Sequence, residues 1–234
     1  MKKAIVLASG GLDSTLVMYK LLKEKYDVYP FFGNYNQYCL ENERRSINLV
    51  TAWLVSYVSS IPGSGILHDV TEVHIDTGIP HIAACPGRVL SFVGAAAIWA
   101  FTKGWTGGSV AIGIHMGDKD VDSCRVGYET SLNATLQILT QGQLDIITPL
   151  MGMSREEMAL KIGKIGIPFK LMMNCYWNVP CGWQSKNMHY LCPGCRRKQE
   201  AMKILGMGNN DYFDRPNCEI MDTPITRRDW AKLT

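Results

Sequence analysis

Residues 4–15 read AIVLASGGLDST: an apolar run, a glycine pair with serines close on either side, and then an acidic residue. Lys3–Ala8 is continuously apolar after its lysine rather than alternating, which predicts a strand buried on both faces. Residues 14–25 set Leu16, Val17, Leu21 and Leu22 on one face at helical spacing, with charge gathering towards the end. A strand, a glycine turn and a helix in that order make a site for phosphate. The helix start offers N–H groups and a partial positive charge, and glycines let oxygens come near. The competing reading is a tight turn in which Asp13 or Ser14 caps the helix. Neither G-x-x-x-x-G-K-[ST] nor a G-x-G-x-x-G after the first strand is present, so two common phosphate loops are excluded.

The alternation continues outward from this point. DVYPFF (27–32) reads as a second strand, and residues 38–58 as a long helix, polar first and apolar later. A helix over about 88–103, a strand SVAIGIH (109–115), a helix near 125–140 and a strand DIITPL (145–150) follow. Ser154-Arg155-Glu156-Glu157 is a capping box, so a helix is expected from there to about Ile165. Strands alternating with helices imply a mostly parallel sheet covered on both faces. Ligands then sit at the carboxyl ends of the strands, where the strand order reverses. From about Ile167 the pattern gives way to a cysteine- and aromatic-rich stretch and a last helix near 195–206. The expected organisation is an α/β domain over 1–166 with a C-terminal segment, 167–234, packed on it.

A chain of 234 residues that is 47% hydrophobic can bury one substantial core with a small appendage. A net charge of +3, with no basic stripe interleaved with aromatics, does not call for a nucleic-acid partner. The N-terminal lysines precede only about five apolar residues, short of the roughly 7–15 of a secretory signal. The most apolar stretch, 82–101, carries Pro86-Gly87-Arg88 inside it and reads better as a buried helix starting near Arg88 than as a membrane span. A soluble, cytoplasmic protein without a membrane partner is expected.

Of eight cysteines, Cys39, Cys85, Cys124 and Cys218 are isolated, whereas Cys175, Cys181, Cys192 and Cys195 fall within 21 residues. Two thiolate pairs at either end of a loop suit a closed, tetrahedral, structural Zn²⁺ site, with His189 as a substitute ligand. The alternative is four buried thiols acting as small hydrophobes.

SGGLDS at 9–14 resembles the SGG-x-DS signature of the PP-loop ATP pyrophosphatases, which split ATP into AMP and pyrophosphate. The resemblance implies a Rossmann-like domain in which Ala8, Ser9, Gly10, Gly11, Leu12, Asp13, Ser14 and Thr15 bind ATP. Ser9, Gly10, Gly11 and Ser14 would hold the pyrophosphate end, and Asp13 would face the phosphates and help to organise Mg²⁺. With the four-cysteine site added, most of the chain resembles the QueC family of 7-cyano-7-deazaguanine synthases. Tyr35-x-Gln37 with Glu41 is similar to that family's YGQ…E, and Pro86-Gly87-Arg88 to its helix-opening PGR. Gly113 with Asp118, then Cys124-Arg125, resembles the segment ending in DCR, and Pro149-Leu150-Met151 the PLM before a capped helix. This chain departs from the pattern at Asp122-Ser123-Cys124-Arg125, at Asn34–Asn36 and in the long 182–191 spacer between the second and third cysteines.

The resemblance implies an ATP-dependent ligase acting on 7-carboxy-7-deazaguanine. The acid is adenylated with release of pyrophosphate, ammonia gives the amide, and a second ATP dehydrates the amide to the nitrile. Asp13, Arg88 and Arg125 are the catalytic candidates. Arg88, Arg125 and Arg155 suit the orientation of a carboxylate or the neutralisation of phosphate. Asp118 or Asp122 suits a guanine-like edge, and Tyr35 and Gln37 a base pocket. A homodimer is also implied, with free or partner-delivered ammonia. Two related readings stay open. One stops at 7-amido-7-deazaguanine or passes the activated deazapurine to DNA or a protein; the other is a tRNA-thiolating PP-loop enzyme.

Overall fold

The structure is a computed structural model and describes residues 2–76, 78, 87–115, 127–172, 184–185, 188–189 and 193–207. Five parallel strands lie in the order β3-β2-β1-β4-β5: β1 (Lys2–Leu7), β2 (Tyr26–Asn34), β3 (Thr71–His74), β4 (Gly108–Ala111) and β5 (Leu144–Ile147). The chain moves from β1 to β2 and β3 on one side, then returns to β4 on the other. The carboxyl end of β1 is therefore a point where strand order reverses, and the SGG turn stands on it.

Because β1 is central, successive residues serve opposite layers. Ala4, Val6 and Ala8 enter one core with α1 (Leu12–Lys23), α2 (Leu40–Val58), α5 (Arg155–Ile165) and α6 (Pro193–Ile204). Ile5 enters a second core with α3 (Arg88–Thr102) and α4 (Tyr128–Leu139). Ile167, Phe169, Met172, Ala201 and Met202 belong to the first of these cores. Two strands of two residues each, β6 (Gln184–Ser185) and β7 (Met188–His189), pair antiparallel ahead of α6. Among the described residues no helix is long and apolar enough to cross a membrane.

The elements differ from the sequence reading at several points. The helix after the turn starts at Leu12, with Gly11 as N-cap, so neither Asp13 nor Ser14 caps it. SVAIGIH is strand only to Ala111; beyond it Ile112 still donates to the Ile147 carbonyl at 3.0 Å, and the chain then leaves the sheet. DIITPL starts one residue earlier and stops at Ile147, two residues ahead of Pro149. The edge strand β3, TEVH, was not anticipated; it has four residues and no fully buried side chain.

The expected capping box is present: Ser154 Oγ accepts from Glu157 N, and Glu157 Oε2 accepts from Ser154 N at 2.7 Å. Ser154→Ala is expected to cost about 1 kcal/mol, read as a lower urea midpoint at an unchanged m-value.

Candidate active site

The carboxyl ends of β1, β2 and β4 open on a cavity of about 360 Å³. Its walls include the SGG turn, the loop after β2, the starts of α3 and α5, and α6. The two glycines of the turn do different things. Gly10 has φ +73°, and a Cβ there would lie 2.5 Å from the Ile47 backbone nitrogen. It lets α2 close onto the turn, where Ser46 Oγ donates to the Gly10 carbonyl at 2.9 Å. Gly11 lines the cavity and begins α1 without any side-chain cap. A helix start whose N-cap is a glycine is suited to an anion, because the N-cap brings no side chain of its own to the first-turn amides, which have no intrahelical acceptors. By contrast α5, whose Arg155 also reaches the cavity, is capped by its own Ser154.

Of the expected ATP-binding residues, Ala8, Ser9, Gly11, Leu12, Asp13 and Ser14 line the cavity, whereas Gly10 and Thr15 stand behind it. Thr15 is fully buried and donates to the Gly11 carbonyl at 2.7 Å. The Asp13 carboxylate is about 39% exposed and lies 3.9 Å from Nε2 of buried His115. Gly113 permits this closeness, since a Cβ there would sit 3.1 Å from Asp13 Cβ.

Tyr35, Arg88 and Arg155 line the same cavity. Arg88 Nη1 donates to the Tyr35 hydroxyl at 2.9 Å. Burial pushes that hydroxyl up to about 12, against the opposing pull of Arg88, so it keeps its proton for donation. Gln37 is placed differently from the expected base-pocket lining. It is buried in the loop, donating to the Gly33 carbonyl and accepting from the Tyr35 amide, at 3.0 and 2.9 Å. Its side chain also donates to Glu43 Oε2 at 2.7 Å. Asp118, Asp122, Arg125, Cys175, Cys181 and Cys192 lie outside the described residues. Cys195 is placed by its backbone alone, in the first turn of α6.

Sequence reasoning missed Glu43, His115, Phe92 and Arg197, all of which line the cavity. It paired Glu41 with the Tyr35 segment, but Glu41 is exposed and forms an ion pair with Arg44. Arg44 also grips Glu72 through two contacts, Nε to Oε2 at 2.8 Å and Nη2 to Oε1 at 2.6 Å, fastening α2 to β3. The missed signal was helical period: extending the buried stripe Leu54, Val50, Ile47 back by four residues reaches Glu43, not Glu41. Burial pushes the Glu43 carboxyl above its ordinary range, opposed by hydrogen bonds from Gln37 and Cys39 and by the Arg88 charge. The buried Cys39 thiol is pushed up as well, which removes it as a nucleophile at neutral pH.

A synthase of Campylobacter concisus named 7-cyano-7-deazaguanine synthase is 27% identical over 224 residues, covering 87% of this chain and 95% of the relative. The protein of that name from Aquifex aeolicus is 26% identical and covers 85% of this chain and 95% of its own. Among solved structures, a 4-thiouridine synthetase bound to RNA and ATP superposes with a TM-score of 0.52 at 16% identity, over 92% of this chain and 54% of that one. That likeness is one of fold. The family model of the queuosine biosynthesis protein QueC matches residues 3–206, nearly all of the described chain, and the protein belongs to the QueC family.

Proposed function

We propose that this protein is an ATP-dependent carbon–nitrogen ligase that converts 7-carboxy-7-deazaguanine and ammonia into 7-cyano-7-deazaguanine. The observation that carries the reading is an uncapped SGG turn at the strand-order reversal, opening on a cavity, in a chain of the QueC family. In the first step a substrate carboxylate oxygen bonds to the α-phosphorus of ATP as the bond to the bridging oxygen breaks and pyrophosphate leaves. Ammonia then attacks the acyl carbon and expels AMP, giving the amide. The amide oxygen bonds to the α-phosphorus of a second ATP as a second pyrophosphate leaves, and loss of AMP together with both amide protons leaves the nitrile.

The chain's own groups meet the demands of these steps. The amides at the start of α1 stabilise charge growing on the departing pyrophosphate. Asp13 stands at the same helix end, where a carboxylate and a phosphate repel each other unless a cation lies between them. That donor set fits Mg²⁺ carried in with ATP, which neutralises charge on the phosphates. Arg88 and Arg155 suit the planar carboxylate and the phosphates, and Arg125 is proposed for the same task from sequence alone.

By sequence, Cys175, Cys181, Cys192 and Cys195 offer the soft thiolates that Zn²⁺ takes in closed sites, and these four are proposed to hold a structural ion. Cys195 stands two residues before Arg197, so fixing the start of α6 also fixes a residue of the cavity wall. A cytoplasmic homodimer is the assembly proposed, on the family resemblance. The test is incubation with 7-carboxy-7-deazaguanine, ATP, Mg²⁺ and ammonium, following pyrophosphate and product mass together. Pyrophosphate that appears only with the acid, and a product of the nitrile's mass, are expected. A product that stays at the amide's mass rejects the nitrile step, and ATP left untouched rejects the substrate.

A further inference from the structure

Glu43 is an unusual occupant of its position. It continues the buried stripe of α2, where a hydrocarbon would pack without the cost of removing a carboxylate from water. It nevertheless lines the cavity, beside Tyr35 and the ring of Phe92. Phe92 packs directly on Gly33, where a Cβ would meet ring atoms at 2.2 Å, and Tyr35 and Phe92 both contribute to the cavity wall. The carboxylate is also aimed. Gln37, tied to Gly33 and Tyr35, holds Glu43 Oε2 at 2.7 Å. A carboxylate has about four acceptor positions and no donor when ionised, so with Gln37 and Cys39 both donating to Glu43, about two positions are left to suit neighbouring N–H groups on a ligand.

We infer that Glu43 is a specificity-determining residue that accepts hydrogen bonds from the ring N–H and the exocyclic amino group of a guanine-like substrate. This rests on the reading of the substrate as 7-carboxy-7-deazaguanine, whose six-membered ring carries those two donors side by side. The apolar part of the wall, with Tyr35 and Phe92, takes the bicyclic ring, and Glu43 reads its edge. A ring lacking the amino group would leave part of the buried carboxylate unsatisfied, and polar sites reject such analogues strongly.

The test compares 7-carboxy-7-deazaguanine with its analogue lacking the 2-amino group, by pyrophosphate release, in wild type, Glu43→Gln and Glu43→Asp. Wild type is expected to prefer the amino compound by roughly 10–100-fold in kcat/KM. Glu43→Gln is expected to shrink that preference to within about threefold by raising KM for the amino compound, with KM for ATP changed less than about twofold. Glu43→Asp, which keeps the charge, is expected to retain part of the preference. A wild type that uses both acids equally overturns the inference without any variant. A Glu43→Gln protein that slows both acids by one factor overturns it too, because a residue that only braces the loop acts in that way. A wild type that uses neither acid overturns the substrate reading, and this inference with it.

Discussion

Asp13→Asn is expected to lower acid-dependent pyrophosphate release by roughly 10²–10³-fold, the scale seen when one well-placed electrostatic group is removed from a transition state. Asp13 lies in the first turn of α1 and lines the cavity, with its carboxylate partly exposed. A purely structural account also exists, since an acid in the first turn stabilises a helix. That effect is worth about 0.3–1 kcal/mol and does not depend on substrate. The two accounts separate cleanly. Asparagine keeps the size and removes the charge, so the fold should survive with a small loss of stability while pyrophosphate release collapses. Turnover within about threefold of wild type would assign Asp13 to the helix alone.

Gly10→Ala is expected to destabilise the protein by about 2–5 kcal/mol, combining the left-handed backbone penalty with a clash in a packed interior. The added Cβ would meet Ile47 N at 2.5 Å, Ser46 Oγ at 2.7 Å and the Ser46 carbonyl carbon at 2.8 Å. Two of those three are backbone atoms of α2, which cannot turn aside as the end of a side chain can. Gly166→Ala supplies the control: its φ is +79°, but nothing lies within 4 Å of the Cβ position. It should lose only the backbone term, about 1–2 kcal/mol. Equal urea midpoints for the two variants would mean that α2 does not press on the turn.

Gly10 and Gly11 illustrate what could be read from the chain and what could not. The strand and the helix on either side were legible because their apolar spacings are unambiguous: AIVLA is continuous, and Leu16, Val17, Leu21 and Leu22 repeat at helical period. The turn between them was legible as a glycine turn joining the strand to the helix. That only Gly11 faces the cavity, while Gly10 admits a neighbouring helix, depends on Ser46 and Ile47, more than thirty residues away. Glu43 was missed for a different reason. Sequence matching favours the nearest residue of the right type, Glu41, whereas burial follows helical period and selects Glu43. His115 was read as the end of a strand, yet β4 stops at Ala111 and the chain beyond it turns towards Asp13. The edge strand β3 left no signal because TEVH offers only four residues, alternately half-buried and exposed. Its hold on α2 comes from charge, Arg44 to Glu72, which hydrophobic patterning does not register.

Which phosphorus the substrate attacks is read directly by isotope transfer. With both carboxylate oxygens of 7-carboxy-7-deazaguanine labelled as ¹⁸O, each AMP formed should carry one heavy oxygen, and the pyrophosphate none. Unlabelled AMP, or label appearing in inorganic phosphate beside ADP, would contradict attack at the α-phosphorus and with it the mechanism built on the turn after β1.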